Sequence, residues 1–175
     1  ETVIREAVRL GTYDMVLVAY NFLMPESMGE AIAEAGNAGV GIVAMKVAAA
    51  AREPKAKELF KNENIVQASL KWALKIQNVH TIIVSMSNAK QAEEDIAVAG
   101  ESLTANEENL LSRYAQAATG GYCRLCGKCD MACPRGVKAS SIMRSHLYWQ
   151  GYGNKNLANS LYNTLSASEN GGVCD

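Results

Sequence analysis

Four cysteines lie close together near the end of the sequence, and their spacing suits a metal cluster. They are Cys123, Cys126, Cys129 and Cys133, and Pro134 follows the last of them. A cubane [4Fe-4S] cluster takes one thiolate at each iron corner, and cysteines at intervals of about three residues let a short loop reach three corners at once. The spacing therefore predicts a [4Fe-4S] site. Zinc stays open as the alternative, although structural zinc sites usually take their cysteine pairs from two separated segments.

The number of clusters depends on the last two cysteines. In bacterial ferredoxins, a cysteine followed by proline binds the other cluster of a two-cluster domain. Either Cys133 completes a single cluster locally, or it serves a second cluster, and Cys174 is then the remaining thiol for the first. The sequence starts at Glu1 within a helical pattern, and Cys174 suits the opening of another cysteine motif. We therefore expect a piece of a longer protein, with two clusters in the full-length protein as the alternative to one.

The bulk composition argues against several classes of protein. The 175 residues carry a net charge of −1 with acids and bases mixed along the chain, so the sequence has no basic stripe that would bind a nucleic acid. No apolar run reaches the roughly 20 residues of a membrane helix, and the first residues do not resemble a signal peptide. Cysteines gathered in one segment favour a reducing compartment. We expect a soluble, cytoplasmic protein, with a signal sequence before Glu1 left open.

Three short apolar runs predict a small parallel sheet. The runs lack alternation, which is typical of strands buried on both faces. Each is followed by a segment with apolar residues at intervals of three and four, the pattern of an amphipathic helix, and Ser87 or Asn88 can cap the last of these helices. Parallel strands require such helical crossovers. The expected strands are residues 15–18, 40–45 and 81–84, and the expected helices are residues 26–38, 65–76 and 88–99.

A change in character after Gly100 predicts a second domain. Thr104 and Glu107 have the spacing of a capping box, which should start a helix that a pair of glycines at 120 and 121 ends. We place the domain boundary at this pair. The expected domains are residues 1–119 and residues 120–175, and the expected helices of the second domain are residues 139–148 and 156–165.

The strand and helix segments resemble those of a known enzyme family. The stretches are DMVLVAYNF at residues 14–22, GVGIVAMK at 39–46 and IVSMSNAKQAEED at 83–95. Together they resemble the last three βα units of an aldo/keto reductase, and the cysteine-rich module resembles the subgroup with a C-terminal [4Fe-4S] ferredoxin-type domain. The resemblance covers almost the whole chain. It implies an α/β fold, in which the C-terminal portion of a (β/α)8 TIM barrel precedes a small, mostly α ferredoxin-like iron-sulfur module.

The resemblance also implies an NAD(P)-dependent oxidoreductase that acts on a small carbonyl or alcohol substrate, with a redox partner protein for the cluster. Leu17, however, stands where the family has a glutamine that binds the carboxamide. The family's catalytic tetrad comes from earlier strands, so we expect no catalytic residue in this chain, and His80 and His146 should be structural or surface residues. The resemblance implies that seven residues contact the nicotinamide cofactor: Met45 at the nicotinamide ring, Lys46 near the pyrophosphate, Ser85 and Asn88 at the adenosine end, Gln91 at the 2′-phosphate, and Glu94 and Asp95 at the adenine.

A second hypothesis treats the chain as an electron-transfer iron-sulfur protein that uses the barrel portion only as a scaffold. The presence of Leu17 in place of the glutamine favours it, because a leucine side chain cannot donate a hydrogen bond. The enzyme hypothesis also meets a difficulty. A nicotinamide transfers a hydride, which carries two electrons, whereas a cubane cluster normally takes one.

Overall fold

The computed structural model describes residues 1–118, 123–124, 126–172 and 174, without the side chains of residues 54 and 55. The chain divides into two compact units. The first unit comprises Glu1–Ala51 and Phe60–Ala117, and the second unit comprises Arg52–Leu59 and Ala118–Asp175. The glycine pair at the expected domain boundary lies outside the described residues. In the described part of the chain, no helix combines the length and the apolar character that crossing a membrane requires.

A parallel sheet of three strands lies in the first unit. The strands are β1 (Met15–Ala19), β2 (Gly41–Met45) and β3 (Thr81–Ile83). β2 is the central strand and is hydrogen-bonded in parallel to both of the others. The prediction of a small parallel sheet is therefore confirmed, and the chain has a mixed α/β structure.

Helices follow each strand, as the apolar periodicity predicts. The segments that periodicity does not predict are short, at five or six residues, and such segments cannot display a repeat of about 3.6 residues. In chain order the helices are α1 (Thr2–Leu10), α2 (Glu26–Asn37), a 3-10 helix (Val47–Arg52), α3 (Pro54–Leu59), α4 (Ile65–Leu74), α5 (Ala89–Ile96), α6 (Ala105–Ala118), α7 (Lys128–Ala132), α8 (Ala139–His146), a π-helical turn (Leu147–Gly151) and α9 (Lys155–Tyr162).

Two of these helices have the N-terminal capping hydrogen bonds that the sequence predicts. At the start of α5, the Asn88 Oδ1 atom accepts a hydrogen bond of 2.9 Å from the Gln91 N–H. At the start of α6, the Thr104 N–H donates to the Glu107 carboxylate at 2.8 Å, and the Glu107 N–H donates to the Thr104 hydroxyl at 3.2 Å. Each bond satisfies an amide that the helix itself leaves without a partner. Both predicted caps are confirmed.

Helices cover one face of the sheet in the described structure. Ile42 and Ala44 lie in the hydrophobic core with residues of α2 and α4. On the opposite face, Met15, Leu17 and Ile83 are 59%, 53% and 54% exposed. The prediction that the strands are buried on both faces is therefore wrong for β1 and β3. An unbroken apolar run predicts a strand, but it does not show whether helices cover one face of that strand or both.

A buried aromatic residue fastens α6 to the rest of the first unit. Tyr114 is fully buried, and its ring centroid lies 5.8 Å from that of Phe22 and 5.4 Å from that of Phe60. At the other end of α6, the Lys71 ammonium lies 3.0 Å from the Glu107 carboxylate. The residue that caps α6 therefore also joins it to α4.

Residues 52–59 belong with the second unit through contacts to the π-helical turn. The Lys57 ammonium donates a hydrogen bond of 2.8 Å to the Gly151 carbonyl. The Arg52 guanidinium lies 5.0 Å from the centroid of the Tyr152 ring. A Cβ atom on residue 151 would lie 2.3 Å from the Arg52 carbonyl oxygen, so the approach requires glycine. A domain boundary placed at a single point in the sequence cannot predict that residues 52–59 pack with residues about ninety positions later.

Candidate metal centre

The third and fourth cysteines flank one helical turn. Cys129 lies in α7, and Cys133 follows α7 in an extended conformation. Extended backbone is the conformation that a residue before proline prefers, so Pro134 explains why the helix ends there. Gly127 precedes α7 with a φ of +72°, a conformation that glycine adopts without the strain other residues incur. Gly127 and Pro134 thus delimit the helical turn that contains Cys129 and ends before Cys133.

None of the five cysteines takes part in a disulfide bond. Cys123 and Cys133 are half-buried, and Cys126, Cys129 and Cys174 are exposed. Among the residues that the structure describes, no three side chains of histidine, cysteine, aspartate or glutamate lie close enough together to hold a metal ion. The donor set nevertheless fits an iron-sulfur cluster in its chemistry and spacing.

Asp130 joins the cysteine segment to α8. Its Oδ1 atom accepts a hydrogen bond of 2.7 Å from the Ser140 N–H, and its Oδ2 atom accepts one of 2.5 Å from the Ser140 hydroxyl. The Cys129 Sγ atom lies 3.7 Å from Oδ1. The two bonds from Ser140 lower the pKa of Asp130 below its ordinary value, against the opposing effect of burial. No local spacing rule singles out Asp130, because its partner lies ten residues further along the chain.

The C-terminal segment returns to the start of α8. The Lys138 N–H donates a hydrogen bond of 2.9 Å to the Glu169 carbonyl oxygen. The Glu169 side chain accepts bonds from the Ser166 hydroxyl at 2.8 Å and from the Ser166 N–H at 3.1 Å, and these bonds lower its pKa. The Cys174 N–H donates to the Gly171 carbonyl at 3.0 Å. Cys174 therefore belongs to the same unit as the other thiols, without being grouped with them in the described structure.

Two residues expected to contact the nicotinamide cofactor lie at the carboxyl end of the central strand: Met45 near the nicotinamide ring and Lys46 near the pyrophosphate. Met45 ends β2 and is half-buried. Lys46 follows with a φ of +57°, and in the described part of the chain no other residue except glycine has a positive φ. The Lys46 carbonyl oxygen accepts hydrogen bonds from the Asn21 amide at 3.3 Å and from the Ala49 N–H at 3.1 Å. A left-handed lysine costs about 1–3 kcal/mol, and such strain is common at functional sites.

The residues expected at the adenosine phosphate are hydrogen-bonded to one another. The Asn88 side chain accepts from the Gln91 N–H, and the Gln91 Oε1 atom accepts a bond of 2.8 Å from the Ser87 N–H. A phosphate at a helix start is bound by free amide groups. Two of the amides at this helix start are already bonded to side chains of the chain itself. Ser85 lies beyond the end of β3 and is exposed.

Glu94 and Asp95 differ in their surroundings. The exposed Glu94 carboxylate lies 3.6 Å from the Lys90 ammonium on the same helix. Asp95 is only 8% exposed and accepts a hydrogen bond of 3.3 Å from the Gln67 side chain. Because Gln67 belongs to α4, Asp95 connects α5 to its neighbouring helix. This contact is structural and does not require a bound adenine.

The two histidines lie in different surroundings. The His80 Nδ1 atom accepts a hydrogen bond of 3.0 Å from the Ile42 N–H, so this side chain supports the backbone beside β2. His146 is exposed at the end of α8. It lines an open cleft of about 300 Å³ together with Trp149 and Tyr162.

Comparisons with known proteins give no match. No protein-family model matches the chain, no curated protein matches it, and no solved structure matches it. The function must therefore be inferred from the residues and contacts of the chain itself.

Proposed function

We propose that this chain is an iron-sulfur protein that binds one [4Fe-4S] cluster through Cys123, Cys126, Cys129 and Cys133. The observation that carries the proposal is the occurrence of four cysteines, none of them in a disulfide bond, in a Cys-x-x-Cys-x-x-Cys-x-x-x-Cys-Pro motif. All four belong to the second unit, so a cluster completed by Cys133 needs no ligand from elsewhere. Cys174 is then not required as a ligand.

A cluster bound at this motif supplies one-electron transfer. The contribution of the chain is to present thiolates on a segment whose course is shaped by the left-handed Gly127 and by the hydrogen bonds of Asp130. Because the buried apolar residues described in the second unit are all small, we expect cluster binding to be coupled to ordering of that unit. Such coupling is common in small metal-binding domains.

The proposal for the first unit is that it forms the C-terminal portion of an aldo/keto reductase-like (β/α)8 barrel in an NAD(P)-dependent oxidoreductase of small carbonyls or alcohols. Two observations support it. The parallel strands are adjacent in sequence order, and the strained Lys46 lies at the carboxyl end of β2, the edge at which such sheets bind ligands. Three strands are too few to close a barrel, so this proposal requires further βα units from outside these residues.

A second candidate is an electron-transfer protein in which the first unit serves as a scaffold. The observation that favours it is the local bonding at α5, where the groups expected to contact the adenosine end are already engaged. The Asn88 and Gln91 side chains bond to backbone amides, and Asp95 bonds to α4. In this case electrons pass between the cluster and a partner protein without a nicotinamide.

Serine substitutions test the cluster proposal. Substituting serine for any one of the four proposed ligands should remove most of the iron and the visible absorption of the anaerobically purified protein, because each thiolate completes one iron corner. Cys174→Ser is the matched control and should keep both. Unchanged iron in Cys133→Ser together with its loss in Cys174→Ser would overturn the ligand assignment, and a colourless protein that contains zinc would overturn the cluster itself.

Titration of the full-length protein with NADH and NADPH distinguishes the two candidates for the first unit. Saturable change in nicotinamide fluorescence, weakened by Lys46→Ala and retained in Lys46→Arg, would support the oxidoreductase. No fluorescence change with either dinucleotide would exclude binding at this edge and leave the electron-transfer protein. The cluster proposal is unaffected by either result.

A further inference from the structure

The residue directly before α8 does not cap the helix with its side chain. The residue before the helix is Lys138, whose side chain has no acceptor and makes no capping bond. A helix start leaves several backbone amides without partners, and an aspartate is among the best residues to satisfy one of them. Asp130 performs this role from ten residues away, since its two carboxylate oxygens accept from the N–H and the hydroxyl of Ser140.

The residue that caps α8 is part of the cysteine motif. Asp130 lies in α7 directly after Cys129, and the Cys129 Sγ atom is 3.7 Å from its Oδ1 atom. Because both carboxylate oxygens are bonded to the same serine, Asp130 restricts how α7 can turn or shift beside α8. The partial positive charge of a helix start favours the carboxylate at this place.

We propose that Asp130 is a positioning residue for the cluster. By capping α8 through Ser140, it holds α7 in place and thereby fixes Cys129 where the cluster is to bind. This inference rests on the proposed [4Fe-4S] site. The same carboxylate places a negative charge beside a cluster ligand, so it also opposes reduction of the cluster, whose potential depends on nearby charge.

Substitutions at both partners test the inference in the anaerobically prepared full chain. Asp130→Ala should release iron to a chelator about tenfold faster or more, the usual range for a residue that orients a metal ligand. Ser140→Ala removes one of the two bonds and should give a smaller increase. Asp130→Asn can keep both hydrogen bonds without the charge, so it should release iron at nearly the wild-type rate and raise the reduction potential. The potential reports the charge beside Cys129, and the rate of iron release reports the positioning of α7.

Glu169→Ala is the matched control. Glu169 also accepts hydrogen bonds from the N–H and the hydroxyl of one serine, and it lies in the same unit, but its partner Ser166 is not part of the cysteine motif. This variant should leave both the rate of iron release and the potential unchanged. The comparison separates loss of a carboxylate cap in general from loss of the cap that holds α7.

Hydrogen exchange in the iron-free protein gives an independent readout. The Ser140 amide should exchange faster in Asp130→Ala than in the wild type, and at nearly the wild-type rate in Asp130→Asn. If the wild type binds no iron, the proposed function fails, whatever the exchange rates. If the wild type binds iron but Asp130→Ala and Ser140→Ala release it at the wild-type rate, the positioning role is overturned. If Asp130→Ala does not fold, the rate of iron release from Ser140→Ala decides.

Discussion

The two units differ in the size of the apolar side chains that each of them buries. In the first unit, the largest fully buried side chains include Ile32, Ile42, Leu70 and Tyr114. In the second unit, Asp130 and Glu169 each accept two hydrogen bonds from one serine. Its buried apolar residues, as far as the structure describes them, are all small: Ala56, Ala118, Val137 and Ala158.

The difference in buried apolar side chains indicates that the two units depend on different interactions to fold. Burying a large apolar side chain stabilises a protein by about 1.5–3 kcal/mol, and small side chains contribute less. Units with little apolar core usually depend on a metal or on disulfides for their stability. None of the cysteines of this chain takes part in a disulfide bond. We therefore expect the second unit to depend on its cluster and the first unit to be independent of it.

Removal of iron should have the largest effect and should be confined to the second unit. When a chelator strips the anaerobic protein, the amides of α8 and α9 should lose part of their protection from hydrogen exchange, because we expect binding of the proposed cluster to be coupled to their ordering. The amides of β1, β2 and α4 should keep theirs. Equal loss in both units, or no loss in either, would contradict the comparison.

Leu70→Ala should have the next largest effect and should be confined to the first unit. Leu70 is fully buried in α4, and removing such a side chain costs about 2–5 kcal/mol of the free energy of unfolding. Iron content should not change. Ile96→Ala is the control, because Ile96 is 64% exposed in the same unit, and it should cost less than about 0.5 kcal/mol. Loss of iron from Leu70→Ala would show that the units are not independent.

Asn88→Ala should cost about 1 kcal/mol of the free energy of unfolding of the first unit, measured with a denaturant. The substitution removes the acceptor that satisfies the Gln91 amide. Asn88→Ser retains a capping oxygen and should recover most of the loss. If Asn88→Ala left the stability unchanged, the hydrogen bonds at this helix start would not be a structural alternative to phosphate binding.

Acid should weaken the first unit through Glu107, with the smallest effect of the series. Burial raises the pKa of Glu107, but the bonds from Thr104 and the charge of Lys71 outweigh it and hold the pKa below the ordinary 4.5. The ionised form is thus favoured by folding, and its contribution is present above pH 4.5 and lost as the pH falls through the folded pKa. Glu107→Gln should flatten the dependence of stability on pH in that range. An unchanged slope would remove Glu107 as its cause.

The parts of the fold that sequence predicts are those set by local pattern. Apolar runs indicate the three strands, and the spacing of Thr104 and Glu107 indicates the start of α6. The uncovered face of β1 and β3 is not predictable, because the same run of residues suits one or two covering layers. Residues 52–59 join the second unit through Gly151, a partner more than ninety positions away.

The candidate site divides in the same way. Cysteine spacing is a local pattern and identifies the proposed ligands without a structure. The bond between Asp130 and Ser140 depends on how α7 meets α8, so no spacing rule reveals it. The residues expected to contact a dinucleotide are placed by resemblance alone, and the structure adds that Asn88 and Gln91 bond to nearby backbone amides.

Iron and acid-labile sulfide, measured per chain in anaerobically purified protein, test the central claim most directly. One cluster bound through Cys123, Cys126, Cys129 and Cys133 predicts about four irons and about four sulfides per chain, since each thiolate holds one iron corner. The same measurement on Cys129→Ser should give values near zero. Zinc without sulfide in the wild-type protein, or equal iron and sulfide in the wild type and in Cys129→Ser, would contradict the account.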